Sequence, residues 1–431
     1  MKILLLNYTD AGGGAANGAL LLTEALNEYG IDAKLGVVEK KTASKYVIQC
    51  ELLKKSKLKS FFTRISSLFL KIAKKLRLYR KNFSTTNNIL HSTNLKSKID
   101  VNWINNSNFD IVHLHWINND MISIKDISKI TKPIVWTMHD SWPCCGAEHH
   151  PNILEEDIRF KNGYWKSNKP KSTKGKDICK KVWEEKKKYL MNKEITFIAP
   201  SNWEGKILKE SFLFNKKECF VIPNIINHSN YYKKNKEELK KAFDIPAEKK
   251  IIGFGAAYDI DNKKSMKGSY YLIDCLKKLK NSNDYFLVIF GPAGTDFTKN
   301  ISIPFFATGY ISNQKILSSI YNLCDVIVNP SLIENLPYTC LESICCGIPV
   351  VAFDVGGTPD IVEHKKTGYL ATPYKSEELV EGIEYCINNK QILSQNCLEK
   401  AKTDFDTEKI VQKHLEVYEK VLVYTKRRCF R

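Results

Sequence analysis

The chain has 431 residues, 43% of them hydrophobic, and a formal net charge of +19 at pH 7. That length exceeds one ordinary domain and suits two of about 200 residues each, while the lack of any run of about 18 apolar residues excludes a membrane-spanning helix. The excess charge calls for an anionic partner without choosing among nucleic acid, acidic lipid and phosphorylated substrate. The 13 cysteines are scattered and odd in number. With no paired CxxC motifs they exclude a disulfide scaffold and a zinc ribbon, and read as buried free thiols.

In chain order, strand and helix alternate. The first strand is expected over residues 2–8, followed at once by a glycine loop. No long apolar region with a cleavage site precedes it, so a cytoplasmic protein is expected. Further strands are read at 32–38, 110–115, 133–138 and 195–199, then at 250–255, 285–290, 305–309, 326–329 and 349–353. These runs are rich in Ile, Val, Leu and Phe without strict alternation, the pattern of strands covered on both faces by helices in parallel sheets. The join lies near 224–250, and a closing helix is expected at 407–424.

Two stretches interrupt the alternation. Residues 52–81 carry Leu58, Phe61, Phe62, Ile65, Leu68, Phe69, Ile72, Leu76 and Tyr79 at helical spacing, interleaved with 11 lysines and arginines between Lys54 and Lys81. A basic amphipathic helix of this kind suits an anionic lipid surface; a helix packed on the first domain with a solvated face, and an RNA-binding helix, are the alternatives. Residues 151–190 form a polar, lysine-rich insertion ending in a helix at 177–190.

Four places carry candidate chemistry. Asp10-Ala-Gly12-Gly13-Gly14 follows a strand and opens a helix, so backbone can approach a ligand and free N–H groups can meet an anion. His115 and His139 follow strand ends, where parallel sheets place ligands. Lys267-Gly268 starts a helix after a strand, where an ammonium can neutralise a leaving group. Asn329-Pro-Ser-Leu-Ile-Glu334-Asn335-Leu336-Pro337 leads from a strand into a helix holding Glu342. Pro337 suits the first helical turn, because its missing N–H costs nothing there. Two carboxylates are thus held at one strand-end crevice, beside helix N–H groups that suit a pyrophosphate.

With Lys267-Gly268, the Glu334…Glu342 pair, Gly347-Ile-Pro-Val-Val, Gly356-Gly357 and Gly368-Tyr-Leu, the chain resembles the retaining glycosyltransferase family 4. In Trp136-Thr-Met-His-Asp-Ser-Trp-Pro it resembles members that build colanic acid and other bacterial surface polysaccharides. The resemblance implies a GT-B fold: two Rossmann-like, doubly wound parallel-sheet α/β domains facing across a cleft. The domains would be an acceptor-side domain at 1–222, a donor domain at 223–405, and a helix at 406–431 that crosses back. It further implies transfer from a UDP- or GDP-sugar to a glycan or lipid-linked acceptor, with no cofactor, no metal and no nucleic acid. Such an enzyme would sit in the cytoplasm or on the inner face of the plasma membrane, an anionic surface.

The implied roles are specific. Lys267 would bind the donor diphosphate, Glu334 the sugar hydroxyls with backbone N–H groups around Asn335 and Leu336, Pro337 would complete that donor-binding stretch, and Glu342 would bind the ribose. His139 would support developing charge, and Gly12, Gly13 and Gly14 would lie by the diphosphate and acceptor. The sequence departs from the family in carrying Asp261 where an arginine is usual; Lys263 or Lys264 is a candidate substitute, without arginine's bidentate fork. Cys144, Cys145 and Cys179 lack the spacing of the cysteine-rich stretch in related polysaccharide enzymes, and no metal is expected there. Three other readings remain: a nicotinamide-dependent oxidoreductase using Gly12–Gly18 with Glu39, a catalytically silent nucleotide binder, and a nucleic-acid-binding protein without any recognisable module.

Overall fold

The computed structural model describes residues 1–53, 83–84, 89–152, 156–171, 173–255, 266–292 and 295–429. Apart from Leu52 and Leu53, the basic amphipathic segment lies outside these residues, as do Asp261, Lys263 and Lys264. Two compact units form. One comprises Met1–Ala199, Gly205–Val221 and His414–Arg431; the other comprises Pro200–Glu204 and Ile222–Lys413. Among the described residues no helix is long and apolar enough to cross a membrane.

The first unit is built on β1 (Lys2–Leu6), β2 (Asp32–Val37), β3 (Val47–Gln49), β5 (Ile111–Leu114), β6 (Ile134–Thr137), β8 (Thr196–Ala199) and β9 (Cys219–Val221). A separate antiparallel pair joins β4 (Phe83–Ser84) to β7 (Lys174–Gly175). The seven strands form one parallel sheet in the order β3-β2-β1-β5-β6-β8-β9. Ile3, Leu4, Leu5 and Leu6 are all fully buried, because helices cover both faces of the sheet. Helix α1 (Gly14–Glu28) buries Ala16, Ala19, Leu22 and Leu26 at helical spacing. Past its end, Gly30 takes φ +80°, a conformation L residues avoid. In the polar insertion, α2 (Ile178–Tyr189) is capped by the Asp177 side chain, which accepts from Lys180 N, and buries Cys179, Val182, Trp183 and Lys186. Lys186 donates to the carbonyls of Trp142, Cys145 and Gly146, so this ammonium fastens the chain after β6.

The second unit holds β10 (Lys250–Gly255), β11 (Tyr285–Phe290), β12 (Phe305–Ala307), β13 (Val326–Asn329), β14 (Val350–Phe353) and β15 (Gly368–Ala371). All are parallel, in the order β12-β11-β10-β13-β14-β15. One apolar cluster, with Ile251, Val288, Ile327 and Leu341, and another, with Ile252, Leu272, Leu287 and Val328, fill it. Helix α3 (Ser269–Lys278) follows β10, and α4 (Tyr338–Cys345) lies between β13 and β14.

The closing helix α5 (Thr407–Cys429) is grouped with the second unit up to Lys413 and with the first from His414. Tyr418 bonds His113 Nδ1 at 2.8 Å, anchoring that end within the first unit. The edge strands β3, β9 and β15 are absent from the sequence reading; they are only partly buried and lack the continuous apolar run of interior strands such as β5, β6 and β14. Pro337 is a correction. It caps α4 with φ −69° and ψ 117°, one residue before the first turn rather than inside it. The twelve cysteines whose side chains are described form no disulfide, and eleven of them are buried.

Candidate functional site

In a doubly wound sheet the strand order reverses at one point, and the loops leaving the flanking strands splay apart there to leave a crevice. In the second unit the reversal falls between β10 and β13. The chain after β10 supplies Met266, Lys267 and Gly268; the chain after β13 supplies Ser331 to Pro337. The two loops are sewn together. Leu332 N donates to Met266 O at 2.8 Å. Gly268 has φ +69°, and a Cβ on it would stand 1.8 Å from Pro330 O, so only glycine fits.

This seam brings Lys267 Nζ onto Glu334 Oε1 as an ion pair. Ser331 Oγ also reaches Glu334 Oε1, at 3.1 Å, and Asn329 Oδ1, at 2.7 Å. The main chain of Glu334 and Asn335 rests on the two glycines that follow β14. Gly357 N donates to Glu334 O at 2.9 Å. A Cβ on Gly356 would stand 1.9 Å from Glu334 O, and one on Gly357 1.8 Å from Asn335 O. The Asn335 side chain is buried and accepts from Ser201 Oγ at 2.7 Å, and Leu336 belongs to the apolar core. Both side chains are engaged by the protein itself, and Pro337 has no N–H to offer. What this stretch can present to a donor is backbone and the start of α4.

Glu342 has its own partners. Its Oε1 accepts from Tyr231 OH at 3.0 Å and its Oε2 from Tyr321 OH at 2.7 Å. Burial raises its carboxyl to about 7 against the lowering effect of the two phenols. The sequence reading of two carboxylates sharing one crevice is therefore refined. Glu334 is paired with an ammonium, Glu342 is clamped by tyrosines, and both lie within electrostatic reach of Cys340.

In the first unit the reversal lies between β1 and β5. The loop after β1 carries Gly12, Gly13 and Gly14, all exposed, with Gly12 at φ +92° and Gly13 capping α1. Asp10, fully buried, accepts from Lys41 N at 2.7 Å and from Thr42 N at 2.8 Å, so its role is to brace this loop. The loop after β5 carries His115 and Trp116, and that after β6 carries His139 and Asp140. His139 Nε2 meets His115 Nδ1 at 2.8 Å, and the rings stack. Burial brings His139 down to about 4, against the opposing pull of Asp140. His139 is thus a neutral imidazole near pH 7, a hydrogen-bonding group rather than a cation. Asp140 Oδ2 accepts from His149 Nδ1 at 2.6 Å and Trp116 Nε1 at 3.0 Å, and Oδ1 from Trp142 N at 3.0 Å. Although burial opposes ionisation, His149 holds this carboxyl down at about 2. His115, Trp116, Asn118, His139 and Asp140 line one small recess.

Sequence reasoning named Lys267, Glu334, Glu342, His139 and the glycine loop as candidates. It missed Asp140, Ser331 and the tyrosine pair Tyr231 and Tyr321. The Asp140 signal was at hand in the His-Asp-x-Trp spacing, since an acid two residues before a turn N–H is a recurrent cap. The tyrosines lie 111 and 21 residues from Glu342 and had no local signal.

Two parallel-sheet α/β units, each with its polar groups at the reversal of strand order, define a GT-B protein. Residues 12–230 match the family described as Glycosyltransferase Family 4, and residues 235–404 match Glycosyl transferases group 1. The chain belongs to glycosyltransferase family 4.

Among curated relatives, it is 23% identical over 215 residues to N-acetyl-alpha-D-glucosaminyl L-malate synthase of Bacillus anthracis, covering 48% of this chain and 55% of that protein. It is 21% identical over 342 residues to an uncharacterised 41.2 kDa protein in the cps region of Klebsiella pneumoniae, covering 78% and 86%. The matches to the first three relatives span only 31–58% of their lengths. Among solved structures, a glycosyltransferase from Rickettsia africae superposes with TM-score 0.64 at 18% identity, covering 98% of each chain. The Anabaena protein HepE in complex with UDP-glucose superposes with TM-score 0.63 at 17% identity, covering 97% of this chain and 100% of that one. These likenesses concern the fold.

Proposed function

We propose that the protein is a retaining glycosyltransferase that moves a sugar from a nucleoside diphosphate sugar to a glycan or lipid-linked acceptor in bacterial surface polysaccharide synthesis. The observation that carries this reading is the contact of Lys267 with Glu334 at the strand-order reversal of the second sheet. Lys267 is 43% exposed, and an ion pair in such a setting is worth only about 1 kcal/mol or less. A diphosphate, with more charge than one carboxylate, takes over the ammonium at little cost. Glu334 is then released to accept hydrogen bonds from the sugar hydroxyls while Gly357 and Ser331 hold its position.

The remaining groups have consistent roles. The N–H groups opening α4 meet the departing diphosphate, so charge is stabilised without a divalent ion in the step. Glu342, once ionised, accepts from the ribose hydroxyls through the lone pairs its tyrosines leave. His139, neutral, orients the sugar, and the glycine loop lets diphosphate and acceptor approach backbone. The bond from sugar to phosphate breaks as the acceptor oxygen bonds the same face of the ring, and the leaving phosphate oxygen takes the acceptor's proton. That course retains the anomeric configuration.

HepE was solved with UDP and with UDP-glucose, which makes UDP-hexoses the first donors to try. The Klebsiella relative's place in a cps region supports a polysaccharide product. The basic stretch at 52–81 is proposed to hold the enzyme on anionic lipid at the cytoplasmic face.

The test is a binding and transfer screen over UDP- and GDP-sugars with the anomer read by NMR. Glu334→Ala should abolish transfer and leave nucleotide binding largely intact. Unchanged turnover in that variant, or no binding of any such donor by the wild type, overturns the reading. Vesicles of anionic lipid should retain the wild type and release a variant with Phe61, Phe62 and Phe69 replaced; a wild type that never binds them removes the lipid assignment.

A further inference from the structure

The first unit contains a group of possible metal ligands that the transfer chemistry does not use. One ligand atom each from His91, Glu148 and Cys179 lies within 4.8 Å of the other two. Glu148 and Cys179 are buried, 5% and 3% exposed, and His91 is partly buried. The sequence reading weighed Cys179 only with Cys144 and Cys145; the fold instead brings it to a histidine and a glutamate from two other segments.

The groups are arranged as ligands. His91 Nδ1 lies 2.7 Å from Ile89 O. A carbonyl only accepts, so Nδ1 carries the proton and the lone pair sits on Nε2, the arrangement a metal-binding imidazole needs. Glu148 Oε1 accepts from Tyr164 OH. Glu148 Oε2 is buried and has no hydrogen-bond partner among the described residues. The Cys179 thiol, a weak donor, also engages this carboxylate; a buried acceptor that no stronger donor satisfies is costly and calls for a donor or a cation.

The backbone is already close. His91 and Glu148 face each other across an antiparallel bridge. Ser92 N donates to Ala147 O at 2.8 Å and His149 N to Leu90 O at 2.9 Å. A Cβ on Gly146 would stand 2.5 Å from Cys179 O, so the loop already presses against the first turn of α2. The nearby Arg159 cation is offset by its pairs with Asp157 and Asp177.

We propose that His91, Glu148 and Cys179 form a three-ligand zinc site that pins α2 to the two segments supporting Asp140 and His139. A thiolate with an imidazole and a carboxylate selects Zn²⁺ over Mg²⁺ or Ca²⁺, which prefer all-oxygen sets. Bonds of about 2.0–2.3 Å in a tetrahedron separate ligands by roughly 3.3–3.8 Å, so closure needs side-chain movements of about 1 Å. On binding, the Cys179 thiol gives its proton to solvent and the sulfur bonds the ion; water fills the fourth position. The support is direct, since His149, next to Glu148, bonds Asp140 at 2.6 Å and Ser92 Oγ at 2.8 Å. The ion takes no part in transfer, and the site stands or falls independently of Lys267 and Glu334.

The test strips the full-length protein with a chelator and titrates it with Co²⁺, a spectroscopic stand-in for zinc. One equivalent should give a thiolate-to-cobalt charge-transfer band and the visible bands of a tetrahedral centre. Both should be lost in Cys179→Ser, weakened in Glu148→Gln and kept in Cys144→Ser. Zinc should displace the cobalt and raise the melting temperature. X-ray absorption on the zinc-loaded wild type, which needs no variant to fold, should show one sulfur ligand. No charge-transfer band in the wild type, an undiminished band in Cys179→Ser, or a zinc shell without sulfur overturns the proposal.

Discussion

Gly357→Ala isolates the geometry that holds Glu334. Gly357 has φ −94° and ψ 10°, which alanine adopts readily, so the substitution carries no backbone penalty of its own. The effect is steric. The new Cβ would stand 1.8 Å from Asn335 O, 2.4 Å from Ser201 Cβ and 2.6 Å from Ser201 Oγ, where real Cβ contacts essentially never fall below 3.0 Å. Main chain cannot swing aside as a flexible side chain can. The Glu334–Asn335 segment therefore has to retreat by about 1.2 Å, the gap between 1.8 and 3.0 Å. A displacement of about 1 Å in a positioning group costs on the order of 100-fold in rate, equivalent to about 2.7 kcal/mol of transition-state stabilisation. The overpacking should also lower stability by about 1–3 kcal/mol. The assay compares kcat/KM for sugar transfer, nucleoside diphosphate affinity and denaturant melts. Gly205→Ala is the control, because its Cβ meets only the Val221 side chain, at 3.2 Å, and the Ala199 side chain, at 3.7 Å. Transfer should fall about 100-fold while nucleotide affinity, which the proposed function assigns to Glu342 and Lys267, changes little. Should kcat/KM for Gly357→Ala stay within about threefold of the wild type, rigid placement of Glu334 is not what limits the reaction.

Two pH dependences have definite signs. In the proposed ribose role, Glu342, raised by burial to about 7, has to lose its proton before it can accept from two hydroxyls; donor KM should therefore fall as pH rises through about 7 and then level off. Glu342→Gln should bind the donor about 10- to 100-fold more weakly above that pH, by the worth of charge-assisted hydrogen bonds, and show no such step; a wild-type profile without the step removes the ribose assignment. In the first unit burial depresses His113 and His115 well below the usual 6.5 and brings His139 to about 4. The unfolded chain then takes up protons that the folded one refuses, so stability is full above about 6.5 and falls with acid. The loss approaches about 4 kcal/mol per pH unit for three groups. Denaturant melts over a pH series read that slope, and a loss of less than one proton's worth contradicts buried, neutral imidazoles.

Much of the fold was legible because its signals are local. Runs such as Ile3–Leu6 and Ile251–Phe254 are apolar on both faces of a strand, and only a sheet covered by helices on both sides hides them. Asp177 announced α2, and Gly30 marked the end of α1. Lys267, Glu334 and His139 were found because each follows a strand end, and the carboxyl edge of a parallel sheet is where ligands gather. The edge strands β3, β9 and β15 were not read, because a partly exposed strand carries no continuous apolar run.

The sequence by itself determined that there would be two parallel α/β units and that an ammonium and carboxylates would stand at strand ends. Strand burial and helix capping depend on neighbours a few residues apart. Only the tertiary structure decided what those groups touch: Glu334 against Lys267, Glu342 under Tyr231 and Tyr321, His139 stacked on His115, Cys179 beside His91 and Glu148. Those contacts join residues up to 111 positions apart. They are created when strand order reverses and distant loops meet, a consequence of packing whole sheets that no local pattern encodes.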